Sequence, residues 1–205
     1  MKIFLASGGY LSIDIQCKKA LEDMGHEVII YNYRPNKISK IPLNIVRKHY
    51  GRALLKSVFE YKPDFFFMIK GETIPKGIVK QFSSRGIVTA NWTLDEPLGE
   101  LYSFNKIHNI EEYDYFFVFD PSYIEKLKKI NPNSFYLPCS ADPINMHVEA
   151  IPMAKRDYPY NVSFVGSYQP EREVMVEKIS EFGPHIFGFN WKNENNKIKN
   201  LQKFL

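Results

Sequence analysis

Three features of the 205-residue sequence predict an α/β fold built on a mostly parallel sheet: short apolar runs end in glycine turns, segments of helical periodicity separate them, and the two alternate through most of the chain. The run from Lys2 to Ala6 stops at Ser7-Gly8-Gly9 and reads as a buried strand ending in a tight turn. Ser12 is a candidate N-cap for the helix that follows, in which Ile13, Cys17, Ala20, Leu21 and Met24 recur at helical spacing before Gly25 closes it. Gly25-His26 reads as the turn into a second strand from Val28 to Tyr31. The whole is a βαβ unit, whose crossover favours parallel strands and a right-handed connection.

The rhythm recurs. Ile45 to Tyr61 is expected to be helical, Pro63-Asp64 breaks it, and Phe65-Phe-Phe-Met-Ile69 is a continuous apolar run of the kind buried on both faces, ended by Gly71. Pro75 to Phe82 reads as a short helix with proline in its first turn, Gly86 ends it, and Ile87 to Asn91 is the next strand. A helix is also expected to begin near Pro97. Tyr115 to Phe119 and Phe135 to Leu137 are two further strands around a helical stretch from Pro121 to Ile130. The sum is a Rossmann-like, doubly wound parallel sheet covered on both faces.

Pro138, Pro143, Pro152 and Pro159 then interrupt the alternation. After them Asn161 to Val165, Gly166-Ser167, a helical run from Glu171 to Phe182, and Ile186-Phe187 restate the opening unit. The expected organisation is a Rossmann-like domain over 1–140, an interdomain linker over 141–160 and the beginning of a second Rossmann-like domain over 161–205. With two strands expected before Leu205, that second domain reads as truncated.

Composition narrows the class. Apolar residues at 44% and charged residues at 24% are ordinary for a globular chain and exclude wholesale disorder. The N-terminus lacks the long apolar core of a signal peptide, and no segment approaches the roughly 20 apolar residues of a membrane span. Two cysteines, Cys17 and Cys139, fit a reducing compartment, so the location is read as cytoplasmic. The net charge of +4 is concentrated between Arg34 and Lys62, where eight cations face Glu60. That stretch reads as a solvated helix face or as a docking surface for an anionic partner. No RNA-recognition or helix-turn-helix pattern accompanies it, and nucleic acid is not expected.

Ligands of open parallel sheets bind beyond the carboxyl ends of the strands, so the candidate residues are those just after each apolar run. Gly8 and Gly9 permit a sharp turn that presents N–H groups beside a helix N-terminus, a place that favours phosphate; the alternative is a simple strand-to-helix turn. After the fourth strand come Trp92, Asp95, Glu96 and Pro97. A carboxylate there, Asp95 above all, would serve as a general base, and Trp92 would stack on a ring; alternatively Asp95 or Glu96 caps the next helix. Asp120, before Pro121, reads as an N-cap. Gly166 and Ser167 with Arg172 form a second phosphate-compatible turn, whose cation would neutralise a diphosphate leaving group or reach a surface carboxylate. The five histidines lack metal-ligand spacing, and no metal site is predicted. Neither G-x-G-x-x-G, a P-loop nor a G-x-S-x-G elbow is present.

With these residues placed, the chain resembles the N-terminal part of the CgeB-type, spore-maturation-protein-like glycosyltransferases of GT-B architecture. The likeness lies in Gly8-Gly9, Trp92-Thr-Leu-Asp95-Glu-Pro97, Tyr113 to Asp120, Leu137 to Pro143, and Val162 to Ser167 with Arg172. The resemblance implies two facing Rossmann domains, the first on the acceptor side and the second on the nucleotide-sugar donor side. It would place Gly8, Gly9, Asp95, Gly166 and Arg172 around the cleft, with transfer needing neither metal nor cofactor. It also implies that the later half of the donor domain is absent. The expected function is sugar transfer from a nucleotide-sugar donor to an unknown acceptor by the full-length protein. The alternative is a non-catalytic module binding a nucleotide, a sugar or a protein.

Overall fold

A computed structural model describes residues 1–9, 11–33, 43–100, 106–140, 160–191 and 201–202. Two compact units divide the chain, Met1–His147 and Val148–Leu205.

In the first unit the elements run β1 (Lys2–Ser7), α1 (Leu11–Asp23), β2 (Glu27–Asn32), α2 (Leu43–Tyr61), β3 (Phe65–Ile69), α3 (Val79–Ser83), β4 (Val88–Thr93), β5 (Tyr115–Val118), α4 (Ile124–Lys128) and β6 (Ser134–Tyr136). Six strands pair in the order β2-β1-β3-β4-β5-β6, and each of the five pairings is parallel. The order reverses at β1 and β3, so the crevice beyond their carboxyl ends is the place where a sheet of this kind takes a ligand.

The apolar runs explain the layering. On one face Phe4, Ala6, Phe66 and Met68 pack with Leu54 and Val58 of α2 and Val79 and Phe82 of α3. On the other, Ile3, Leu5, Val28 and Ile69 meet Ile13, Cys17 and Leu21 of α1. Phe66 and Phe82 approach to 4.6 Å between ring centroids, and burying each such ring contributes roughly 2–3 kcal/mol.

Several local expectations are corrected. The first helix already begins at Leu11, so Ser12 lies inside it and is not its N-cap. The helix expected from Pro75 is confined to Val79–Ser83. Gly77 takes a left-handed φ of 82°, and Glu112, from far along the chain, accepts the N–H groups of Gly77 and Lys80 at 2.6 and 3.3 Å. A distant carboxylate thus fixes the start of α3. No helix begins at Pro97 within the described residues 97–100; those residues form bends. The stretch from Pro121 opens as a 3-10 turn, Pro121–Tyr123, before α4. Of the basic stretch, residues 34–42 lie outside the described residues; within α2, Lys56 and Glu60 form an exposed i,i+4 ion pair at 3.7 Å.

The second unit contains β7 (Ser163–Val165), α5 (Pro170–Lys178), β8 (His185–Phe187) and β9 (Leu201–Gln202), with parallel order β7-β8-β9. It has one strand more than the sequence reading gives. It also has a small core of its own, Val176, Ile186 and Trp191 against Phe164 and Tyr168. Residues 141–159 of the expected linker lie outside the described residues.

Candidate functional site

At the carboxyl end of β1 the Ser7 side chain is buried and its hydroxyl donates to Oδ1 of Asp14 at 2.5 Å, while the Gly9 N–H approaches Ser7 Oγ at 3.3 Å. Gly9 needs its left-handed φ of 78°, and a Cβ there would stand 2.7 Å from Asn32 Nδ2. The Gly8-Gly9 turn is therefore a tight strand-to-helix connection. The anion-favouring end of α1 already holds a buried carboxylate, Asp14, which the sequence reading did not single out.

Beyond β3 the chain turns through Lys70 and Gly71, with φ of 65° and 95°. Tyr33, fully buried, donates to the Ile69 carbonyl at 3.0 Å, accepts from the Gly71 N–H at 2.9 Å, and stands 3.4 Å from Oε2 of the buried Glu72. Asn91 of β4 donates to the Lys70 carbonyl at 2.6 Å. This network holds Lys70 where its ammonium meets the carboxylate of Asp95, forming an ion pair in which Lys70 is 18% and Asp95 39% exposed. Lys70 and Glu72 were missed because Gly71 reads only as a strand terminator, although both follow the apolar run directly.

The other two candidates beyond β4 are occupied by structure. Glu96 is buried, and its Oε1 accepts the Leu98 N–H at 2.5 Å, so it caps a turn in place of the expected helix. Trp92 donates its indole N–H to the Leu137 carbonyl at 3.0 Å. It lies in the register row of Ile69 and Phe117, on the sheet face that α1 covers over β1 and β3. Asp120 accepts the Ser122 N–H at 2.9 Å and caps the Pro121 turn; that hydrogen bond holds its carboxyl below the usual carboxylate range.

In the second unit Gly166, Ser167 and Arg172 do come together. Pro170 occupies the first turn of α5, and Arg172 in the same turn reaches back to donate from Nη1 to the Ser167 carbonyl at 2.8 Å, not to a surface carboxylate. A cavity of about 470 Å³ opens here, lined by Val165, Gly166, Ser167, Phe187, Gly188 and Phe189. Gly188 is obligatory, because a Cβ would fall 1.9 Å from the Gly166 carbonyl oxygen. Trp191 locks the same loop by donating from Nε1 to that oxygen at 2.8 Å. The segment from Gly188 to Trp191 escaped the sequence reading because the partners of Gly188 and Trp191 lie far back along the chain, at Gly166.

Among the described residues no group of three or more His, Cys, Asp or Glu side chains is placed to hold a metal ion, and no helix is long and apolar enough to cross a membrane.

The parallel six-stranded sheet of this order, between helices, is Rossmann-like and matches the fold of GT-B domains. Solved structures similar to the chain include GT-B glycosyltransferases and epimerases. S. aureus MnaA, solved with UDP, matches with a TM-score of 0.59 at 12% identity over 95% of this chain and 63% of its own. The UDP-GlcNAc 2-epimerase from Methanocaldococcus jannaschii matches with 0.59 at 12% identity over 100% of this chain and 74% of its own. Acinetobacter baumannii MurG matches with 0.52 at 12% identity over 99% and 65%. The chain thus spans between 63% and 74% of the length of these three proteins. No protein-family model and no curated protein sequence matches it.

Proposed function

We propose that this protein is a GT-B sugar transferase of the CgeB type, with its first unit on the acceptor side and its second on the side of the nucleotide-sugar donor. The observation that carries the proposal is the cavity beyond β7 and β8: at about 470 Å³ it lies within the roughly 300–1,000 Å³ of small-molecule sites. It combines an aromatic rim with a glycine turn and a serine, and Arg172, at the start of the following helix, bonds the Ser167 carbonyl beside it, a set suited to a base and a diphosphate.

In this reading Arg172 and the N-terminus of α5 neutralise the charge that grows on the diphosphate as the bond from the sugar's anomeric carbon to the diphosphate oxygen breaks. Asp95 accepts the proton of the acceptor hydroxyl as the new bond to that carbon forms. Lys70 orients Asp95 through the ion pair. Gly8 and Gly9 keep the backbone close beside the acceptor, Trp92 offers its ring as a wall, and Glu96 sets the turn that carries Asp95. The location in this reading is the cytoplasm, where Cys17 and Cys139 stay reduced.

The test is nucleoside diphosphate release from a panel of nucleotide sugars, with and without a sugar-alcohol acceptor. Arg172→Ala is expected to raise KM by about tenfold or more and Asp95→Asn to lower kcat by about 100-fold. Wild-type rates in both variants would remove these residues from the mechanism. The existing engagement of Asp95 with Lys70 favours one second reading, a module that binds nucleotide without turnover. Saturable binding with no release in any combination would select it.

A further inference from the structure

Among the described residues, the cavity of the second unit leaves few polar side chains to a ligand. Among its lining residues Val165, Phe187 and Phe189 are apolar, Gly166 and Gly188 have no side chain, and Ser167 brings a hydroxyl. Part of the backbone around it is already engaged. The Gly166 N–H donates to the Phe187 carbonyl and the Tyr168 N–H to the Phe189 carbonyl, each at 2.8 Å. The carbonyls of Gly166 and Ser167 accept from Trp191 and Arg172.

Between the ends of β7 and β8, Gly166 and Gly188 approach backbone to backbone with no room for a Cβ at Gly188, so neither position raises a side chain into the cavity. At its rim Val165 and Phe189 are 78% and 69% exposed. A pair of glycines without side chains beside an exposed aromatic lip leaves room for a planar ring to meet that lip through its face. Discrimination among bases needs donors and acceptors aimed at the ring edge, whereas stacking tolerates any base.

We infer, on the nucleotide-sugar reading above, that this cavity holds the nucleobase by stacking on Phe189 and does not read its edges, so the donor site accepts uridine, guanosine, adenosine and thymidine diphosphates alike. The specificity of the protein then resides in the sugar and the acceptor.

The experiment is calorimetric titration of the chain with the four nucleoside diphosphates and with inorganic pyrophosphate. The expected dissociation constants of the four lie within about fivefold of one another, with pyrophosphate at least about tenfold weaker. Phe189→Ala is expected to weaken all four by a common factor of about ten or more, and Phe189→Tyr to retain binding. One nucleotide bound more than about 30-fold tighter than the rest would overturn base indifference and leave the nucleotide reading standing. Pyrophosphate bound as tightly as the nucleotides would overturn stacking. Binding of none of the five would overturn the nucleotide reading itself, and this inference with it.

Discussion

The loops beyond the strands of the two units do opposite things with similar local architecture. In the first unit they are crowded with charge, and each charge has a neighbour: Asp14 with Ser7, Glu72 with Tyr33, Asp95 with Lys70, Glu96 with the Leu98 N–H. In the second they are glycine and aromatic, with backbone groups paired to one another and large apolar side chains left in solvent. A buried carboxylate must be hydrogen-bonded to be tolerated, so polarity in the first unit organises the loops themselves. Shape organises the second. The difference teaches that a repeated βαβ plan leaves the chemistry of its mouth open, and that the few residues after each strand decide it.

The largest expected effect comes from removing that shape. Gly188→Ala forces a Cβ to within 1.9 Å of the Gly166 oxygen, and a backbone overlap of this kind is expected to cost about 3 kcal/mol or more and to abolish nucleotide binding. Denaturant unfolding followed through Trp191, with titration of UDP, checks both. Native stability and retained binding would mean that the close approach of the two loops does not shape the cavity.

Next in size is the polar logic of the first unit. Ser7→Ala leaves Asp14 buried without the hydroxyl that donates to it, and the expected loss is about 2 kcal/mol in chemical denaturation. A loss below about 0.5 kcal/mol would show that the carboxylate reaches water and is not held by its neighbour.

The smallest effect concerns Cys17, which α1 packs against Ile3, Leu5, Val28 and Ile69 of the sheet. Burial above all, with the nearby negative charge of Asp14 and the Cys139 thiol adding to it, pushes the Cys17 thiol from an ordinary 9.0 up to about 11. The folded chain therefore holds this proton more tightly than the unfolded one. The associated stability is complete below pH 9 and is lost as pH rises towards 11. In thiol labelling at pH 8 the exposed Cys139 is expected to react first, with Cys17 following only as pH approaches that range or on unfolding. Equal rates would place Cys17 in solvent.

Much of the fold was legible because the strands announce themselves: Phe65 to Ile69 is one continuous apolar run, and glycines stand at the turns. What could not be read was everything set by partners distant in sequence. The start of α3 depends on Glu112, and the orientation of Asp95 on Lys70. The Trp92 indole is turned to Leu137, and the fate of Glu96 is settled by a bend where a helix was expected. Asp14 was hidden because its position in a helix looks solvated until Ser7 is seen to face it. Gly166, Ser167 and Arg172 were legible because they are close in sequence and their contacts are local.

The most direct test of the account uses the position of the two tryptophans, one in each unit. In a Trp92→Phe variant the remaining fluorescence comes from Trp191, whose indole is bonded to the Gly166 carbonyl in the wall of the cavity. Titration with UDP is predicted to change that signal saturably, and Arg172→Ala to shift the midpoint to at least about tenfold higher ligand. A Trp191 signal that does not respond to UDP, or one whose midpoint is the same in the Arg172→Ala variant, would contradict the assignment of the donor site to the second unit.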